Sequence, residues 1–124
     1  DYMIKNYSYD YAAVKNPSKH TASYDFYGLL KNKKGVCQSF ALLYAMLMNR
    51  AGVDCGTVSG VAAGSAGGSD YEAHMWNVIK LKSGSRYYVD VTFDEGASSG
   101  SKVSTRFFYK SKSKFYGLKY HIAY

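Results

Sequence analysis

One stretch limits the fold more than any other. Between Cys37 and Ala51, the residues Phe40, Leu43, Tyr44, Leu47, Met48 and Ala51 recur at helical spacing. Ala41, Leu42, Ala45 and Met46 widen the apolar surface almost all the way round. Such a helix is expected at the centre of a domain, with the rest of the chain wrapped about it. Arg50 places a cation in its last turn, and Gly52 supplies the stop. Gly35-Val36-Cys37-Gln38 leads into it, so Cys37 falls in the first turn.

Beyond the helix the pattern changes to a period of two. Residues 53–61 read as a strand. Glu72 to Leu81 sets His74, Trp76, Val78 and Lys80 on one face against Met75, Asn77, Ile79 and Leu81 on the other. Arg86 to Asp94 sets Arg86, Tyr88, Asp90 and Thr92 against Tyr87, Val89, Val91 and Phe93. Gly96 to Lys102 is a polar loop, and Thr105 to Tyr109 is predicted to be a last strand, followed by a mixed segment. Upstream, residues 1–6 read as the end of a helix. Tyr7 to Asp25 reads as a loop with one short helical turn, holding the only proline, Pro17. Thr21 to Leu30 is given a short helix, then a basic turn from Lys31 to Gly35. Ala62 to Ser69 is either a flexible Gly/Ser connection, the favoured reading, or a flap over a cleft. The sum is one strong helix followed by consecutive alternating strands.

A chain of 124 residues suits one domain, taken here as 1–124, and the helical opening suggests excision from a longer chain. No apolar run approaches the ~20 residues of a membrane span, and no signal peptide is visible. The formal charge of +7 favours anionic partners. Lys102, Arg106, Lys110, Lys112, Lys114 and Lys119 alternate with Phe107, Phe108, Tyr109, Phe115 and Tyr116. A solvated face over core aromatics is the preferred account. No nucleic-acid motif accompanies the charge, and acidic surface polymers are equally compatible. The two cysteines, Cys37 and Cys55, are expected to be free, with Cys55 a buried and inert thiol.

Cys37, His74 and Asp90 together carry the chemistry. Backbone N–H groups and the dipole at a helix start favour a negative sulfur. An imidazole can take the thiol proton, and a carboxylate on its other nitrogen steadies the imidazolium. Whether His74 and Asp90 meet depends on the turn between their strands. A three-residue loop, Lys82-Ser83-Gly84, with Gly84 left-handed, sets Leu81 opposite Ser85 and Trp76 opposite Asp90. His74 then faces Thr92 and lies diagonal to Asp90, about 7–8 Å away at the backbone. A four-residue loop would put the two on opposite faces. The Cys37 N–H is the candidate oxyanion donor, with the Gln38 and Tyr27 side chains as weaker ones. Trp76 either walls the cleft beside His74 or packs the core, and Asn77 is expected to be structural. His20 and His121 have no partner at metal-ligand spacing, so zinc is not expected.

These residues resemble the transglutaminase-like superfamily, nearest to its bacterial surface and cell-wall-associated branch. The resemblance runs over about residues 1–110. It rests on Gly35-Val36-Cys37-Gln38-Ser39-Phe40-Ala41, Gly52-Val53-Asp54-Cys55, His74-Met75-Trp76-Asn77 and Tyr88-Val89-Asp90-Val91-Thr92-Phe93-Asp94. It implies an α+β, papain-like core, with a central helix carrying Cys37 packed on an antiparallel sheet carrying His74 and Asp90, and a Cys37-His74-Asp90 triad working through a thioester on a glutamine or peptide amide. An amine would complete transamidation and water would complete hydrolysis. The alternative is a weakly active or non-enzymatic module that binds surface or cell-wall polymers. The resemblance also implies a protein or peptide substrate and an extracellular or cell-surface location. Two features depart from the family: Phe93 stands where tryptophan is common, and the His74–Asp90 turn is one residue longer. Animal members use calcium, but no acidic ligand cluster is present, so no metal or cofactor is expected.

Overall fold

The computed structural model describes residues 1–63, 70–118 and 120–124. In chain order the elements are α1 (Tyr2–Asn6), β1 (Ser8–Tyr9), α2 (Tyr11–Lys15), two 3-10 turns (Pro17–Lys19 and Thr21–Tyr24), α3 (Phe26–Asn32), β2 (Lys34–Gly35) and α4 (Cys37–Arg50). Then come β3 (Cys55–Ala63), β4 (Tyr71–Lys80), β5 (Arg86–Val89), α5 (Val91–Ala97), β6 (Lys110–Ser111), α6 (Lys112–Gly117) and β7 (His121–Ala123). Five strands form one antiparallel sheet in the order β6-β5-β4-β3-β7. The α+β expectation holds. The reading of a flexible connection or flap from Ala62 to Ser69 falls mostly outside the described residues; Ala62 and Ala63 themselves extend β3.

The alternation of β4 is used on both faces. On one, Ile79 joins Cys55, Val89, Phe40, Leu43, Leu29 and Met3 in a core beneath α4. On the other, Trp76 and Val78 join Tyr88, Phe107 and Phe115. Burial of this kind contributes about 1.5–3 kcal/mol for each large side chain. Asn77 faces α4, and its amide donates to the Ala41 and Gly56 carbonyls at 2.9 and 3.1 Å. It therefore ties helix to sheet, a structural part. Helix α4 is buried along its first half only: Ser39, Phe40, Ala41 and Leu43 are inside, whereas Leu47 is exposed. An apolar surface all round did not make the whole helix central.

The hairpin β4–β5 has the register required by the three-residue loop. Lys80 pairs with Arg86, Ile79 with Tyr87 and Asn77 with Val89. The Leu81 amide donates to the Ser85 carbonyl at 2.9 Å, and Gly84, at φ +88°, donates to the Leu81 carbonyl. That backbone conformation is open to glycine and strained for alanine.

Three sequence expectations need correction. The strand from Arg86 ends at Val89, not Asp94. Asp90 is the N-cap of α5, its side chain accepting the Phe93 amide at 3.0 Å, so Thr92 has no strand position opposite His74. Thr105–Tyr109 is not a strand. Its backbone is spent on α5: the Phe107 amide donates to Asp94 Oδ1 at 3.0 Å, and its carbonyl accepts from the Asp90 amide at 2.9 Å. Tyr109 then turns at φ +52° into β6. Residues 7–25 are more ordered than a loop. Asp10 caps α2 by accepting the Ala13 amide and also accepts the Ser23 hydroxyl at 2.6 Å.

Asp94 is buried, and that burial, only partly offset by hydrogen bonds from Phe107 and Ser104, pushes its carboxyl up to about 6. In the unfolded chain it titrates near about 3.9. The folded state therefore holds the proton longer, and this group's contribution to stability is largest below pH ~4 and declines as pH rises to ~6. Asp94→Asn should accordingly gain stability relative to the parent between pH 4 and 7 in urea unfolding. A difference that stays flat across that interval would show that Asp94 titrates normally. Gly84→Ala should cost about 1 kcal/mol in the same measurement.

Candidate active site

Cys37 is the first residue of α4, and the approach to it is rigid. Strands β1 and β2 pair in parallel, Ser8 with Lys34 and Tyr9 with Gly35. The Val36 amide donates to the Ser23 carbonyl at 3.1 Å. A Cβ on Gly35 would lie 2.1 Å from Ser39 Oγ, so this close approach needs glycine. Val36 is the N-cap but offers no side-chain cap hydrogen bond. The first-turn N–H groups thus face the site without a capping oxygen beside them. Cys37 is a free, half-buried thiol.

His74 comes from β4 and Asp90 from the junction of β5 with α5. His74 Nε2 donates to Asp90 Oδ2 at 2.6 Å, and the His74 ring is also hydrogen-bonded to Cys37. With Nε2 committed to Asp90, the thiol contact falls to Nδ1. The structure therefore brings Cys37, His74 and Asp90 together in one chain of contacts. Burial alone would push the His74 proton affinity down. The charge and hydrogen bond of Asp90, then the contact with Cys37, outweigh it and hold His74 well above the usual imidazole range. Burial alone would raise Asp90. The charge of His74 and the hydrogen bonds from His121 and His74 hold it below the usual carboxylate range. Both directions describe one state, an imidazolium beside a carboxylate.

Trp76 is buried, stacks beside His74 at 6.0 Å between ring centres, and donates its Nε1–H to the Tyr116 hydroxyl at 3.2 Å. Its burial places it in the core, and it is not among the residues that line the cleft beside His74. Phe93 stacks on His74 at 4.8 Å. Gln38 directs its amide to the Tyr24 carbonyl at 3.0 Å, and Tyr27 is 69% exposed. Neither side chain is brought to the thiol by these contacts. A cleft of about 490 Å³ opens on His74, with Tyr9, Tyr11, Phe93 and Tyr120 among its walls and Glu72, Glu95 and Arg106 as charged groups beside His74; Cys37 is not among its lining residues.

The sequence offers His121 no partner at metal-ligand spacing, but the fold brings it to Asp90 and His74. Its Nε2 also donates to Asp90 Oδ2, at 2.6 Å. No spacing rule could have found this contact, because β7 reaches Asp90 only by pairing with β3. Among the described residues, His74, Asp90 and His121 form a group whose ligand atoms lie within 4.8 Å of one another. Such a donor set suits zinc by type. Here both Nε2 atoms lie 2.6 Å from Asp90 Oδ2, the spacing of hydrogen bonds to a carboxylate, and we read the group as a hydrogen-bonded cluster.

The transglutaminase-like superfamily model matches residues 1–93. The chain belongs to the transglutaminase-like superfamily. Among solved structures it is similar to one described as a TGase, at TM-score 0.58 and 17% identity over 72% of this chain and 23% of that one. It is also similar to a candidate cysteine protease from Cytophaga hutchinsonii, at TM-score 0.50 and 17% identity over 90% of this chain and 32% of that one. The chain thus spans under a third of the length of either neighbour. No curated protein matches it. The papain-like core of the superfamily is the architecture described above: a cysteine-bearing helix on an antiparallel sheet. Residues 94–124, which carry His121, lie beyond the family match.

The second thiol is a built-in control. Cys55 is buried in β3, and burial followed by the nearby Asp54 charge pushes it up to about 11. Iodoacetamide at pH 7.5 should modify one thiol per folded chain, at Cys37, and the second only in denaturant. Equal labelling of the two in the folded state, read by peptide mass, would contradict this assignment.

Proposed function

We propose that this domain is a thiol-dependent acyltransferase acting on a glutamine or peptide amide. The observation that carries the reading is the continuous contact from Cys37 at the start of α4 through His74 to the buried Asp90. His74 accepts the thiol proton, giving a thiolate beside an imidazolium. The sulfur attacks the amide carbon and a C–S bond forms. The carbonyl oxygen gains the negative charge, which the Cys37 N–H and the α4 dipole stabilise. Collapse breaks the C–N bond, and the leaving amine or ammonia takes its proton from His74. The thioester then awaits an acceptor, whose proton returns to His74 as the thiolate is released. Asp90 remains ionised throughout and keeps the ring oriented.

The cleft beside His74 bears on the acceptor. The sequence contains two glutamates, Glu72 and Glu95, and both line it, in a chain of net charge +7. Arg106 is a cation there beside His74, and its guanidinium is engaged with the Tyr120 hydroxyl at 3.2 Å and lies over the Phe107 and Tyr120 rings. Glu72 and Glu95, among aromatic walls, offer an approaching amine two carboxylates. On that ground we put transamidation first, ahead of hydrolysis, on a protein or peptide substrate, with an extracellular or cell-surface setting.

The test offers glutamine-containing peptides with and without a labelled primary amine and counts amide product and free acid separately. Amine incorporation should exceed hydrolysis, and Glu95→Gln should lower that ratio while leaving Cys37 alkylation intact. Free acid as the sole product would replace transamidation with hydrolysis. Alkylation of Cys37 should fall at least ~100-fold in His74→Ala. An unchanged rate would remove the enzyme reading altogether.

A further inference from the structure

The part of the chain beyond the family match contributes a side chain to the site. His121 begins β7, is 4% exposed, and places Nε2 2.6 Å from Asp90 Oδ2, the same oxygen that His74 uses. Its ring is fixed by Phe115, Trp76 and Phe93, with centres 4.4, 4.8 and 5.0 Å away. Nδ1, in that aromatic surround, is buried with no hydrogen-bond partner. A ring needed only for packing would be better served by phenylalanine, which leaves no polar atom unsatisfied. The histidine is explained by what its other nitrogen does.

We propose that His121 is a positioning residue that fixes the Asp90 carboxylate, so that the site is a four-membered hydrogen-bonded chain, Cys37–His74–Asp90–His121. The inference rests on the cysteine acyl-transfer reading given above. Asp90 has two oxygens to orient. The Phe93 amide holds Oδ1 at 3.0 Å, and His121 holds Oδ2 alongside His74, the two ring centres 5.7 Å apart. With both oxygens pinned, the carboxylate cannot rotate about its Cβ–Cγ bond, and His74 is offered to Cys37 in one orientation. The second donor also steadies the charge of Asp90 against the nearby negative Asp94 on α5. Four elements thus set the charge balance at Asp90: α4 through Cys37, β4 through His74, α5 through Asp94 and β7 through His121.

His121→Phe keeps the ring volume and removes the donor; His121→Gln returns an amide donor. In His121→Phe, Cys37 alkylation should slow about tenfold, the scale of one hydrogen bond to a charged group. The acid limb of its pH profile should move to higher pH, because Asp90 with one donor fewer takes a proton more readily. His121→Gln should recover most of the rate and return the limb towards the parent. A parent rate and profile in a His121→Phe chain with native near-ultraviolet dichroism would overturn the proposal. If His74→Ala also alkylates at the parent rate, the acyl-transfer reading falls too. If His74→Ala is slow and His121→Phe is not, the His121 role alone is lost. Nitrogen-15 spectra of the unmodified chain give a reading independent of folding in the variants. His121 Nε2 should be the protonated nitrogen, and an unprotonated Nε2 would refute the contact.

Discussion

A single buried carboxylate organises this molecule. Asp90 is 1% exposed, and an unpaired charge at that depth would be untenable. It is satisfied by two imidazoles on one oxygen and a backbone amide on the other. Its own backbone amide and carbonyl are also bound, to Phe107 and Asp94. The same residue ends β5, starts α5, lies one helical turn before Asp94, which anchors the 98–107 segment, and holds the His74 ring. The geometry of the site and the folding of the second half of the chain therefore rest on one set of hydrogen bonds.

The rest of the sheet divides its work by face. One side of β4 supplies apolar contacts and the Asn77 clamp to α4, which fixes where the helix, and hence Cys37, can sit. The other side supplies Trp76, Val78 and the aromatic cluster packed against the two imidazoles. His74 lies near the far end of this strand, where the faces meet the cleft. A helix start and a strand thus meet with little freedom between them, as general-base work by a thiol pair requires.

Much of this was legible in the residues. The helix from Cys37, its Gly52 stop, the two free cysteines and the hairpin register followed from local rules, because a left-handed glycine and a period of two leave few choices. What could not be read was settled by distant partners. Val91, Thr92 and Phe93 continue a strand pattern by propensity, yet Asp90 caps them into a helix once its side chain is needed at Phe93. Thr105 to Tyr109 has strand composition, but α5 takes its Phe107 hydrogen bonds. The aspartate before Val91 was a helix-start signal that the alternation concealed. His121 carried no local signal at all.

The short terminal strand also bears on the site. The two imidazoles reach Asp90 across sequence separations of 16 and 31 residues, and β7 must first find β3. His74 meets Asp90 across the hairpin that joins their strands, whereas His121 arrives with β7 and carries the larger loop-closure cost. The surroundings of the Cys37–His74 pair are therefore completed from β7, and unpairing that strand withdraws one of the two imidazoles from Asp90.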